Sequence, residues 1–208
     1  MAVFRAFKAL RPTEGKAAAV AALPYDVVNR EEAAAIGKEN PDSFLHVDRA
    51  EMDLPAETDL YDVKVYQKAK ENLHKMEETG VLVQDHKPCY YIYELVRKGK
   101  VQTGIAGCAS IDDYLNNVVK KHELTRSDKE LDRINHVDVC DANTGPIYLA
   151  CRYTDALSAL LEQWKKEHKA AYDFTEEDEI THRVWVIDGD EAISQIQDEM
   201  EKIPALYI

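Results

Sequence analysis

The stretch from Cys89 to Ser110, CYYIYELVRKGKVQTGIAGCAS, decides the fold class. Its two halves, Cys89–Val96 and Val101–Ser110, are rich in the β-branched and aromatic residues that favour strands. Between them lies Arg97–Lys100, in which Gly99 can adopt the backbone conformation of a tight turn. The stretch therefore predicts a β-hairpin, and with it a sheet that contains antiparallel strands.

Helices and strands are predicted to alternate on both sides of this hairpin. Asn29 and Glu32 have the spacing of a capping box, which predicts a helix near Arg30–Lys38. Ser110 with Asp113 predicts another helix, whose apolar positions would continue to Val119. Further strands are predicted at Val3–Ala9, Asp42–Val47 and Ile147–Cys151, and further helices at Asp59–Thr79 and Asp155–Glu167.

The C-terminal part of the chain has the pattern of a β-α-β unit. Strands are predicted at Thr181–Ile187 and Ala205–Ile208, with a helix at Glu191–Lys202 between them. Such a unit is typical of parallel strands joined by a right-handed crossover. Together with the hairpin, it predicts an α+β (mixed α/β) protein with a mixed sheet and flanking helices. Because no internal repeat or linker interrupts the pattern, residues 1–208 are expected to form a single domain.

Composition excludes several classes of function. The 208 residues are 45% hydrophobic and carry a formal charge of −13, so the chain can bury a core but is not expected to bind nucleic acid. Its four cysteines form no CxxC pair and are expected to be reduced. The sequence contains neither a signal peptide nor an apolar stretch of membrane-spanning length. We therefore expect a cytoplasmic protein without a membrane partner.

The densest polar segment is Lys120–Arg133, KKHELTRSDKELDR. A zincin would need a second histidine four residues after His122, but that position is Arg126, so no metal site is predicted. His122 and Glu123 are candidate acid/base groups. The candidate ligands for phosphate oxygens are Lys121, Thr125, Arg126 and Arg133. Ser127 and Glu130 predict a helix start, whose free N–H groups could also contact an anion.

Two other interpretations of these polar residues stay open. Charge-rich helix faces are often simply solvated, and their ion pairs contribute only about 0.2–0.5 kcal/mol each. The loop LPYDVV at Leu23–Val28 places Asp26 after Tyr25, where a carboxylate could hold a hydroxyl or a metal ion. The alternative for this loop is that Asp26 caps a local turn while Tyr25 packs. Asp26 is retained as a candidate catalytic residue.

Five motifs occur in an order that resembles one protein family. They are LPYDVVNREEA, NPDSFLHVDRAEMDLP, GIAGCASIDDY, KKHELTRSDKELDR and DANTGPIYL. Through them the chain is identified as a member of the domain of unknown function 1015 family of bacteria and archaea, over nearly its entire length.

The resemblance implies that members are longer than this chain. After a segment similar to residues 182–208 they carry the sequence Ala-Asp-Gly-His-His-Arg. That hexapeptide is similar to the phosphate-gripping loop of the ParB and sulfiredoxin superfamily, which includes free serine kinases. The resemblance therefore implies that residues 1–208 are the N-terminal portion of a protein and stop just before such a loop.

The function implied by this resemblance is phosphoryl transfer to a small hydroxylated metabolite, with serine as the leading analogue. A nucleotide, ATP or ADP, with Mg²⁺ is the implied cofactor, and a small molecule or nucleotide is the expected partner. Two other classes stay open: a nucleotide- or phosphate-binding module without turnover, and a structural or partner-binding protein. The sequence also leaves a homodimer open.

Overall fold

The computed structural model describes residues 2–122, 126–176 and 179–208. These residues divide into two compact units. The sheet unit contains the described residues of 1–14, 84–123 and 147–208, and the helical unit contains those of 15–83 and 124–146. The single domain expected for residues 1–208 stays a prediction. The α+β class predicted from the sequence is confirmed.

The described residues form ten strands, eight α-helices and one 3-10 helix. The strands are β1 (Phe4–Arg5), β2 (Leu10–Pro12), β3 (Leu82–Gln84), β4 (Tyr90–Arg97), β5 (Lys100–Ala106), β6 (Cys108–Ala109), β7 (Val119–Lys120), β8 (Tyr172–Thr175), β9 (Thr181–Ile187) and β10 (Leu206–Tyr207). The helices are α1 (Ala17–Val20), α2 (Arg30–Glu39), α3 (Leu45–Asp48), α4 (Val63–Glu78), α5 (Ile111–Leu115), α6 (Ser127–Cys140), α7 (Asp155–Glu167) and α8 (Asp190–Glu201). A 3-10 helix spans Ala50–Asp53.

The predicted hairpin forms the centre of the sheet unit. Strands β4 and β5 pair antiparallel with Arg97 opposite Lys100. The two residues between them, Lys98 and Gly99, have φ angles of 49° and 76°, as a type I′ hairpin turn requires. The four-stranded sheet has the order β5-β4-β9-β8, and its pairs are antiparallel. The hairpin is therefore confirmed.

The core of the sheet unit lies between this sheet and the last two long helices. Tyr90 and Ile92 of β4 are fully buried, and they cluster with Leu157 of α7 and Ile196 of α8. Thr154 caps α7, because its hydroxyl accepts a hydrogen bond of 3.0 Å from the backbone N–H of Leu157. The alternating pattern of β4 thus places one set of side chains against both helices.

The C-terminal strand pairs differently from the β-α-β prediction. Strand β10 follows β9 and α8 as expected, but its parallel partner is β7, in a two-stranded sheet separate from the one that contains β9. On its other side Tyr207 forms a single antiparallel bridge with Ala150. The expected crossover between β9 and β10 in one sheet is therefore wrong, since β9 is flanked on both sides by the antiparallel strands β4 and β8.

Several predicted elements differ from the structure, among them Val3–Ala9, of which only Phe4–Arg5 forms a strand. Residues 42–47 were expected to form a strand but lead into helix α3, because the Ser43 hydroxyl accepts a hydrogen bond from the N–H of Leu45 and favours a helical turn. Helix α5 ends at Leu115, and Val119 belongs to β7. Residues 147–151 contribute only the bridge at Ala150. Val119 and Ala150 lie in short segments, so pairing with β10 overrides their local pattern.

The helical unit is built from α1–α4 and α6. Helix α2 has the predicted capping box, in which Asn29 and Glu32 exchange two hydrogen bonds of 2.9 Å. At the first residue of α2, the Arg30 guanidinium donates to five backbone carbonyls, at distances from 2.6 to 3.1 Å. They belong to Glu51, Leu54, Pro55, Ala56 and Thr58. This fan of hydrogen bonds fixes the segment that follows the 3-10 helix.

Candidate functional site

Helix α6 buries two ionisable side chains, whereas several of its apolar side chains are exposed together with polar ones such as Lys129. Asp132, His136 and Cys140 are buried, with 9%, 3% and 3% of their surface exposed. Leu131 and Ile134 on the same helix are more than half exposed. A buried polar group is costly unless it is hydrogen-bonded or serves a function. The buried ionisable side chains therefore mark the inward face of α6 as the candidate site.

The inward face of α6 borders a cavity of about 50 Å³ within the helical unit, which we call the α4–α6 cavity. Its polar wall is formed by Asp48, Arg49, Glu51, Lys129, Asp132, Arg133 and His136. Tyr25 and Tyr66 also line it. Cations, carboxyl groups and an imidazole are thus gathered around one small space, an arrangement typical of functional sites.

The predicted loop and the predicted polar segment meet at this cavity. The guanidinium of Arg133 lies 4.2 Å from the centre of the Tyr25 ring, and it donates a 2.9 Å hydrogen bond to Asp132. The guanidinium of Arg49 donates to the backbone carbonyl of Tyr25 at 3.2 Å and pairs with Glu51 at 2.8 Å. Both arginines are therefore held in fixed orientations beside Tyr25.

Asp48 is the carboxyl group of the cavity with the most perturbed acidity. Burial raises its pKa to about 6, although a hydrogen bond from Thr144 and the positive charge of Arg133 both act in the opposite direction. The charged form is disfavoured because few water molecules can solvate it. A carboxyl group with this pKa can take up a proton near neutral pH.

His136 is perturbed in the direction expected of a buried base. Burial lowers its pKa to about 4, and the charge of Arg133 acts in the same direction while that of Asp132 opposes it. The imidazole is therefore neutral at pH 7. Its Nε2 atom is buried and has no hydrogen-bond partner among the residues that the structure describes. Next to it, the Tyr66 hydroxyl donates a 3.0 Å hydrogen bond to Asp132.

The sequence-predicted residues are distributed over both units. Arg133 lines the α4–α6 cavity. Asp26 and Arg126 belong to the same helical unit but are exposed and do not line the cavity. Glu123 and Thr125 lie outside the described residues. Whether these side chains act on a ligand stays a prediction.

Lys121 and His122 belong to the sheet unit and follow strand β7. The ammonium of Lys121 lies 3.5 Å from the centre of the Tyr114 ring, a cation–π contact. The Nδ1 atom of His122 lies 2.7 Å from the backbone oxygen of Ile208, which follows β10. Both side chains therefore sit where the parallel strands β7 and β10 have their carboxyl ends, the edge at which parallel sheets commonly bind ligands.

The predicted helix cap at Ser127 needs a correction. Helix α6 begins at Ser127, so the capping position is Arg126, whose side chain makes no capping hydrogen bond. Sequence reasoning also missed Asp48, Asp132 and His136. Asp132 and His136 are four residues apart, a spacing that places both on one helix face and was a usable signal. Asp48 gave no signal, because its segment was predicted as a strand and loop.

The described residues contain no group of three or more His, Cys, Asp or Glu side chains placed to hold a metal ion. Among the helices of the described part of the chain, none combines the length and apolarity that a membrane span requires.

The chain is thus an α+β protein whose helical unit contains a small cavity lined by ionisable side chains, several of them from α6. A family model described as Protein of unknown function (DUF1015) matches residues 4–208. The chain therefore belongs to this family, as the five ordered motifs predicted. No curated protein and no solved structure matches the chain.

Proposed function

We propose that this protein transfers a phosphoryl group from a nucleotide to a hydroxyl of a small metabolite, with the α4–α6 cavity as its site. The observation that carries the proposal is Asp48, a carboxyl group with a pKa of about 6, in the same cavity as the guanidinium groups of Arg49 and Arg133. Phosphoryl transfer needs a group that takes the proton of the hydroxyl and cations that neutralise the phosphoryl oxygens.

The proposed reaction has one bond-forming and one bond-breaking event. The acceptor oxygen forms a bond to the terminal phosphorus of the nucleotide, and the bond from that phosphorus to its bridging oxygen breaks. The nucleotide leaves one phosphate shorter, and Asp48 takes the proton of the acceptor hydroxyl. With a pKa of about 6, Asp48 is deprotonated at pH 7 and able to accept this proton.

Arg133 and Lys129 are the proposed contacts for the phosphate oxygens. The position of Arg133 is fixed by Asp132 and by the Tyr25 ring, so the guanidinium is oriented before a ligand binds. A Mg²⁺ ion would be held mainly by the nucleotide phosphates. The other sequence-derived roles stay proposals: His122, Glu123 and Asp26 as acid/base groups, and Lys121, Thr125 and Arg126 as phosphate ligands.

A thermal-shift titration with ATP, ADP and CTP, each with Mg²⁺, tests the binding step. A nucleotide that binds the native state is expected to raise the melting temperature. Arg133→Gln should abolish this rise, whereas Lys38→Gln, the same charge change at an exposed site at the end of α2, should preserve it. ³¹P NMR of the mixture with L-serine or glycerol then detects the phosphorylated product. Absence of both a thermal shift and a product would refute the proposal.

A phosphate-binding module without turnover is the second candidate. It is favoured by the pairing of Arg49 with Glu51 and of Arg133 with Asp132, which leaves less positive charge for a triphosphate. This candidate predicts a thermal shift that depends on Arg133 and no product in the ³¹P spectrum.

A further inference from the structure

Two residues that line the α4–α6 cavity each carry a buried side-chain nitrogen for which the described residues supply no hydrogen-bond partner. They are Nε2 of His136 and Nε of Arg49. Leaving such a group buried and unpaired costs about 1–3 kcal/mol. Native proteins rarely tolerate this cost, except where a ligand or water completes the hydrogen bonds. The two atoms therefore indicate what a cavity ligand must supply.

The hydrogen-bonding capacity of these groups fits a hydroxyl. His136 is neutral at pH 7, because burial lowers its pKa to about 4, so it forms one hydrogen bond at Nε2 as donor or acceptor. The Nε–H of Arg49 is a donor, and the ionised carboxyl group of Asp48 is an acceptor. A hydroxyl both donates and accepts, so it can satisfy such a mixed set, whereas a phosphate oxygen would be repelled by Asp48.

The size of the cavity limits how much of a ligand can enter. One water-sized atom needs roughly 10–15 Å³ of such space. A cavity of about 50 Å³ therefore holds only a few non-hydrogen atoms. A nucleoside ring is too large, whereas a hydroxymethyl group with its neighbouring carbon fits. Lys129 is exposed while His136 is buried, which places phosphate contacts at the mouth and the hydroxyl contact inside.

We propose that the α4–α6 cavity binds the hydroxymethyl arm of a small polar acceptor, with His136 Nε2 and Arg49 Nε as its hydrogen-bond partners and Asp48 as the acceptor of its proton. This inference rests on the proposed phosphotransferase function, because it names the class of substrate and the residues that select it. His136 is thereby a specificity-determining residue that touches the substrate.

The test compares two probes that differ by one hydroxyl, L-serine and L-alanine, with glycerol as a second hydroxylated probe. The Nε2 resonance of His136 is followed by ¹⁵N NMR in the absence of nucleotide. L-serine or glycerol should shift it, and L-alanine should bind at least about tenfold more weakly, the effect of one lost hydrogen bond. Equal shifts with L-serine and L-alanine, or no shift with any probe, would overturn the inference.

Variants at His136 provide the second arm. His136→Leu removes the hydrogen bond and should weaken binding of the hydroxylated probe about tenfold, whereas His136→Gln keeps a donor and acceptor and should restore most of it. Unchanged affinity in His136→Leu would overturn the inference. The probe titration of the native protein needs no variant, so a misfolded His136→Leu chain leaves the question decidable.

Measuring both probe binding and product formation distinguishes the assignment of the cavity from the phosphotransferase proposal. Hydroxyl-dependent binding without phosphorylated product supports the cavity assignment and refutes the phosphotransferase. A phosphorylated product whose rate of formation is the same in folded His136→Leu supports the phosphotransferase and refutes the cavity assignment.

Discussion

Glu94 in the sheet unit and Asp48 in the helical unit are both carboxyl groups removed from water, yet their acidities shift in opposite directions. Burial alone would raise the pKa of Glu94, but Lys165 at 2.8 Å and Arg183 at 3.2 Å together lower it. For Asp48 burial prevails over Thr144 and Arg133, and its pKa rises to about 6. A carboxylate with two close cations stabilises the fold, whereas one without them remains available for proton transfer.

Neutralising Glu94 is expected to have the largest effect on stability. Glu94→Gln leaves the buried Lys165 ammonium and the Arg183 guanidinium without their shared anion, so the free energy of unfolding should fall by about 3 kcal/mol. Urea denaturation at pH 7 measures this. The matched control is Glu162→Gln, because Glu162 also contacts Lys165 at 2.6 Å but is 52% exposed. Equal losses of unfolding free energy in the two variants would mean that burial of the carboxylate does not decide its contribution to stability.

Neutralising Asp48 should raise the free energy of unfolding, the opposite of the effect expected at Glu94. Its folded pKa of about 6 exceeds the unfolded value of 3.8, so its contribution to stability falls as the pH rises from about 4 to about 6. At pH 8, Asp48→Asn should therefore raise the free energy of unfolding by about 2–3 kcal/mol. It should also flatten the pH dependence between 4 and 6. If Asp48→Asn instead destabilises the protein at pH 8, the prediction is wrong, because the charged form of Asp48 is then stabilised by nearby cations, as that of Glu94 is.

His46 offers an intermediate case within the helical unit. The hydrogen bond between its Nδ1 and Asp53, at 2.9 Å, raises the pKa of His46. The resulting stabilisation is complete below the unfolded value of about 6.5 and is lost as the pH rises through the higher folded pKa. His46→Gln should cost about 1 kcal/mol at pH 6 and less at pH 8. His74→Gln, the same substitution at an exposed position on α4, is the matched control in the urea titrations.

The smallest effect is expected for an exposed ion pair. Lys68 and Glu71 are 3.4 Å apart on α4, and Glu71 is 69% exposed. Glu71→Ala should change the free energy of unfolding by no more than about 0.5 kcal/mol, because water and salt screen the pair. Thermal denaturation at low and high salt measures this. A loss as large as that of Glu94→Gln would mean that exposure does not decide the strength of these pairs.

The sequence predicted long elements well and short ones poorly. The hairpin, the capping box of α2 and helix α7 carry their signals within the segment itself, so local reasoning was sufficient. Strand β10 has two residues and takes its partner from β7, more than eighty positions away in the sequence, which no local pattern encodes. Residues 42–47 are a different case, because a local turn at Ser43 outweighs the apolar pattern there.

The residues of the candidate site were predictable only where they lie in a polar segment that the sequence itself marks. Arg133 and Tyr25 were each identified from a polar helix and a loop, and the structure brings them together. Asp48 and His136 were missed because burial shifts their pKa values, and burial depends on tertiary packing and not on the neighbouring residues in the sequence. Acidity is a property of the environment, so a sequence motif reveals it only when the environment is local.

The fan of hydrogen bonds from Arg30 has a consequence for sequence variation. Its five acceptors are backbone carbonyls, so they are present whatever side chains residues 51–58 carry. We expect homologous chains to vary freely at most of these positions and to retain arginine at the start of α2. Lysine cannot make the same set of bonds, because its donors share one nitrogen, whereas those of Arg30 are divided between two nitrogens of a planar guanidinium. The backbone conformation of residues 51–58 is thus fixed by one side chain that lies outside this segment.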